Sequence, residues 1–121
     1  GVGFYRLRLS TARWVMRVLL LLLVLFSACS ETSLQEAYGA PISPECWDRV
    51  SSIEPAYLSQ RELQAACGVD IAIDGCSFEN GVYIEEGQGS ETLTHELLHV
   101  LLGCEVNDSD PSHSRPEWDR L

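Results

Sequence analysis

Between Ser90 and Gly103 the chain reads ETLTHELLHVLL, and no other stretch restricts the fold as much. Ser90 suits a helix N-cap, Glu91 suits the positive end of the helix dipole, and Gly103 stands where the helix should stop. Leu93, Leu97, Leu98, Val100, Leu101 and Leu102 point in nearly every direction around such a helix, so most of its circumference must be covered by the rest of the chain. His95, Glu96 and His99 interrupt that apolar surface. Ionisable groups are buried only at high cost unless they find partners, so this helix has to be built around a polar site. His95 and His99 are four residues apart and therefore lie one turn apart on one face.

That spacing lets two imidazoles reach one metal ion, with Glu96 beside the open coordination position. His-Glu-Leu-Leu-His is an HExxH motif, and the segment resembles the zincin metallopeptidases. The resemblance implies that His95 and His99 bind zinc and that Glu96 is the general base toward metal-activated water. The plainer alternative is a pair of core histidines bonded to backbone beside a surface glutamate.

A catalytic zinc needs a third protein ligand, and the candidates lie downstream. Metzincins use HExxHxxGxxH, but position 102 is Leu and position 105 is Glu, so that register fails. Glu105 follows the helix too closely to return, Glu117 offers a gluzincin-type carboxylate, and Asp108 and Asp110 offer oxygen ligands. His113 is the remaining histidine. The run HELLHVLLG followed by HSRPEW resembles the SprT-like zincins, in which a loop after HExxH delivers a later histidine as third ligand and a Glu-Trp segment opens the closing helix. By that resemblance His113 is the third ligand and Pro116-Glu117-Trp118 begins the last helix. Ser114 stands where that family has glycine, and Arg115 lengthens the spacing to Glu-Trp by one residue. The likeness covers about residues 90–120. Trp118 and Trp47 read as core anchors; no Tyr or His is plainly placed to stabilise an oxyanion, with Tyr57 and Tyr83 as the candidates.

Met16-Arg17, the apolar run Val18 to Phe26 and then Ser27-Ala28-Cys29 describe a secretory leader, because nine apolar residues are too few to span a bilayer. The placement of Cys29 makes the leader resemble a bacterial lipoprotein signal, with Phe26-Ser27-Ala28-Cys29 as the lipobox. The resemblance implies residues 1–28 as signal peptide and an acylated Cys29 as mature N-terminus, and because Met16 opens a leader of ordinary form, residues 1–15 read as a candidate upstream translation artefact. Ser30 in place of aspartate favours the outer over the inner membrane by the same resemblance. A plain secretory signal or an uncleaved anchor is the alternative. Cys46, Cys67, Cys76 and Cys104 remain, an even number suited to two disulfides in an oxidising compartment; three pairings are open. No C-x-x-C pair supports a structural zinc instead.

All eight basic residues are arginines, four of them within residues 1–28, so the rest of the chain sets four arginines against all 18 Asp and Glu. Such a balance excludes nucleic-acid binding, which needs a basic face, and it favours basic or neutral peptides over acidic ones. Residues 29–43 are polar and punctuated by Gly and Pro, a lipidated tether to a domain at 44–121. Within that domain Glu45 to Ile53 and Ala56 to Ala66 read as helices broken at Pro55, with Gly68 as C-cap of the second. Val69 to Ile73 alternates as a strand, Gly81–Ile84 reads as a second strand with an edge open to a peptide, and residues 85–89 read as a loop. The expectation is an α+β domain of minimal zincin type, a monomer whose partners are a peptide or protein substrate and, through lipid, a membrane. Its function is zinc-dependent peptide hydrolysis at the cell envelope. The alternative is a non-catalytic metal-binding lipoprotein. Substituting Cys29→Ser should abolish lipid labelling and release the protein from the membrane fraction; retention without label would reveal an uncleaved anchor.

Overall fold

Pro55 and Ser59 decide the architecture of the first half of the domain. The computed structural model describes residues 33–121, so Cys29 and the leader lie outside the described residues. Helix α1 (Pro44–Ser51) starts with Pro44 at its first turn and the Ser43 hydroxyl accepting from the Cys46 amide, and it buries Cys46 and Val50 one turn apart. Pro55 then keeps the chain extended, and Ser59 caps a new helix by accepting from the Glu62 amide. The interval left between them, Ala56–Leu58, becomes strand β1 rather than the expected start of a helix. Helix α2 (Gln60–Cys67) buries Leu63 and ends at Gly68, whose φ of 70° is the left-handed cap expected there.

The alternating run Val69 to Ile73 is not a strand. The Gln60 side-chain amide takes both polar groups of the Ile73 backbone, which ties the end of the segment to α2 instead of to a strand. Val69 and Ile71 are 38% and 63% exposed, so the alternation buries nothing. Pairing falls instead to β2 (Gly75–Phe78) and β3 (Gly81–Glu85), an antiparallel hairpin in which Phe78 lies opposite Gly81. Strand β1 pairs parallel to β3, with Ala56 opposite Tyr83. The order β1-β3-β2 puts β3 in the centre, so the open edge expected at Gly81–Ile84 is not there, and the sheet's edges are β1 and β2.

Helix α3 (Ser90–Glu105) packs against one face of this sheet and α2 packs against the other. Val82 and Ile84 of β3 join Leu98, Val100, Leu101 and Leu102 of α3 in the core, and α1 also packs on α3. Gly89, rather than Ser90, is the N-cap of α3, and the helix continues through Gly103 to Glu105. Its end is held from α1: Cys104 is bonded to Cys46, and the Glu105 carboxylate accepts from the Ser43 amide at 2.7 Å. Residues 33–38, read from sequence as tether, are helical and bury Leu34 and Ala37 in the same core. The chain closes with a 3₁₀ turn, Pro116–Arg120, where an α-helix was expected to begin. Among the described residues no helix is long and apolar enough to cross a membrane.

Of the three pairings open to the cysteines, the fold selects Cys46–Cys104 and Cys67–Cys76. The loops they close differ, with sequence separations of 58 and 9. In chain-entropy terms the longer closure contributes about 4 kcal/mol and the shorter about 2.6 kcal/mol. Paired Cys→Ser replacements at 46 and 104 should therefore lower the denaturant midpoint more than those at 67 and 76. Equal losses would show that native-state strain or residual unfolded structure dominates.

Candidate metal centre

The greasy circumference of α3 fixes where its ionisable residues can go. Glu96 turns toward the sheet and is only 6% exposed, with its Cγ packed over Gly75 of β2. A Cβ at position 75 would sit 2.9 Å from the Tyr83 carbonyl and 3.3 Å from the Glu96 Cγ, so the glycine makes room for the carboxylate. Burial pushes the Glu96 carboxyl up, while a hydrogen bond from Ser77 and the charge of His113 pull it down; burial prevails. A polar cleft of about 830 Å³ opens beside His95 and Glu96, walled by Ile73–Gly75, the first turn of α3 and Arg120.

His95 and His99 lie on the neighbouring face, and the loop after α3 brings His113 to them. The His113 Nε2 lies 3.1 Å from the His95 Nε2 and 3.0 Å from the His99 Nε2. One nitrogen from each ring falls within 4.8 Å of the other two. Zinc–nitrogen bonds of about 2.0–2.1 Å place the donors of a tetrahedral site roughly 3–3.5 Å apart, so the group fits a metal ion. The His99 Nδ1 lies 2.7 Å from the Ser109 carbonyl. A carbonyl can only accept, so Nδ1 carries the proton and Nε2 is left with its lone pair for a metal. Burial foremost, then the neighbouring His99 and His113, lower the His95 pKa and favour the neutral ring that ligation requires.

The loop itself is built around Asp110, which is 3% exposed. Its Oδ2 accepts from the Arg115 amide at 2.9 Å and from the Trp118 indole at 2.7 Å; its Oδ1 accepts from the Ser114 hydroxyl at 2.8 Å and the Ser112 hydroxyl at 3.4 Å. A carboxylate has about four acceptor sites, and all are used, so Asp110 is no ligand. Asp108 accepts from the Asp110 amide, Glu105 from Ser43, and Glu117 is paired with Arg115 at 3.1 Å. Each alternative ligand considered from sequence is thus engaged elsewhere. Tyr57 is half exposed on β1, and neither it nor Tyr83 lines the cleft.

Gly75, Ser77, Ser109 and Asp110 were not singled out from sequence for the roles they have. A usable signal lay in the loop: Asn107, Asp110 and His113 have φ of 57°, 55° and 56°. Asn, Asp and His are the side chains that enter the left-handed region most readily. Comparison with family models, with curated proteins and with solved structures finds no match to this chain.

Burial alone would raise the Asp110 carboxyl, but the Arg115 amide, the indole and the Ser114 hydroxyl together hold it well below the usual carboxylate range. The unfolded chain therefore binds this proton first as pH falls. The stability Asp110 contributes is complete above about pH 5 and is lost as pH drops from about 4 toward the folded value. Thermal scans of wild type and Asp110→Asn should show a constant gap in Tm from neutral pH down to about 5 and a closing gap below 4. A gap independent of pH would mean that the carboxylate charge plays no part.

Proposed function

We propose that this chain is a zinc-dependent peptidase, carried to the cell envelope by its leader and held there by lipid on Cys29. The observation that carries the reading is the convergence of His95, His99 and His113 next to a buried glutamate that shares a cleft wall with His95. Three imidazole donors suit several transition metals, and zinc is preferred because its catalytic sites combine three protein ligands with one open position. Bound there, zinc supplies a Lewis acid that brings the pKa of a water toward neutrality and polarises a carbonyl. The HExxH likeness supports the same choice.

The protein's own groups divide the remaining work. His99 is held in one tautomer by the Ser109 carbonyl, and His95 is kept neutral by its surroundings. Glu96 does not join the three histidines; it stands beside them as the base that takes a proton and passes it to the leaving amine. Burial raises its pKa toward the range in which a carboxyl can both accept and release a proton.

The cleft suggests how a peptide is held. Strand β2 pairs only with β3 within the described sheet, and its Gly75 lines the cleft, so an extended chain can add to its free edge. Among the described residues Glu36, Asp74 and Glu91 line that cleft against the single arginine Arg120, which favours neutral or basic substrates. The metal-loaded protein should cleave a mixed peptide library, and chelation should stop it. Glu96→Gln should retain zinc and lose cleavage by about 10²- to 10⁴-fold. Zinc binding without cleavage by wild type across varied peptides would leave the non-catalytic metal-binding lipoprotein as the reading.

A further inference from the structure

Metal-ligating histidines ordinarily donate their second ring nitrogen to a carbonyl or carboxylate, which fixes the ring plane. Only His99 does so here, through Ser109; His95 and His113 have no such partner among the described residues. The terminal torsion of a histidine is soft, so something else must hold those two rings. Trp118 packs against all three. Its ring centroid lies 4.8 Å from that of His95, 4.4 Å from His99 and 4.6 Å from His113. The indole is itself immobilised, because its N–H donates to the Asp110 carboxylate at 2.7 Å. The same carboxylate binds the Arg115 amide and the Ser114 hydroxyl, and the Asp110 carbonyl accepts from the His113 amide at 3.0 Å.

We propose that Asp110 and Trp118 are positioning residues for the three-histidine centre: the indole is a floor under the rings, and the carboxylate locks floor and His113 loop into one unit. The proposal rests on the metal-site reading above and goes beyond it, since neither residue is a ligand or a base. Two features favour it over a merely structural role. The four acceptor positions of Asp110 bind only residues 112–118, the segment that carries His113 and Trp118. The loop also holds three non-glycine residues at positive φ, a conformation that persists only where surrounding bonds enforce it.

The test uses the full chain, its disulfides intact, with Asp110→Asn, Trp118→Phe and Trp118→Leu. Cobalt(II) titration followed in the visible, with zinc competition, reads both affinity and ligand geometry. Asp110→Asn and Trp118→Leu should each weaken metal binding about 10- to 100-fold and alter the cobalt spectrum, the magnitude typical of lost outer-shell partners. Trp118→Phe keeps a ring but no donor, and should weaken binding by less than the leucine variant. Nuclear magnetic resonance of the imidazole groups in metal-free protein supplies a readout independent of metal. His95 and His113 signals should be sharp in wild type and broadened by exchange in the variants. Wild-type affinity and unchanged ring signals in the variants would overturn the proposal. A wild type that binds no metal but shows the ring effect would sink the peptidase reading and leave the positioning role standing. Should Asp110→Asn fail to fold, the two Trp118 variants decide.

Discussion

A helix that is apolar around most of its circumference has to be covered from every side, and the fold meets that demand for α3. The sheet and α1 both pack on it, and the helical residues 33–38 add Leu34 and Ala37 to the same core. Each cover is short: no strand exceeds five residues, and α1 and α2 have eight each. Cross-links therefore matter more than area in a domain this small. Cys46–Cys104 and the Ser43–Glu105 hydrogen bond fasten α1 to the end of α3, while Cys67–Cys76 fastens α2 to the sheet edge.

The rigidity of α3 explains the division of labour at the site. Two donors and the glutamate ride on a helix whose orientation is dictated by its leucines, so their relative placement follows from helical geometry alone. The third donor comes from a segment with no regular structure, and a free loop would spread it over many positions. Hydrogen bonding to one buried carboxylate takes the place of secondary structure there. An aspartate accepting four bonds organises the residues around it much as a bound anion would.

The sequence made the helix, its two histidines and its glutamate legible, because spacing along a helix is a local property. Cap chemistry was legible at Gly68 for the same reason, and the α+β class was legible from the helical runs beside the strand at Gly81–Ile84. The errors arose where pairing or burial had to be known first. Ala56–Leu58 has helical composition but lies between Pro55 and a capping serine, and β3 supplies the partner that makes it a strand. Val69 to Ile73 alternates correctly, yet the Ile73 backbone is taken up by the Gln60 side chain and the exposed segment pairs with no strand. The helix ran past Gly103 because a disulfide and a carboxylate hold its end, neither of which a local rule anticipates. Asp110 looked like a spare oxygen ligand because its four partners follow it by two to eight residues, with no recognised motif to announce them.

The two disulfides are nested, Cys67–Cys76 lying wholly inside the ring closed by Cys46–Cys104. Every peptide bond from position 46 to position 104, HExxH helix included, therefore belongs to at least one covalent ring. The segment around Ile71, the most exposed large apolar residue among those described, belongs to two. A single cut there releases no fragment, and the severed ends stay tied to α2 and β2. His95 and His99 remain on the same covalent molecule as everything that covers them. Nicked and intact chains would migrate alike until a reductant separates them, so damage to this protein is first a question of thiol chemistry and only then one of proteolysis.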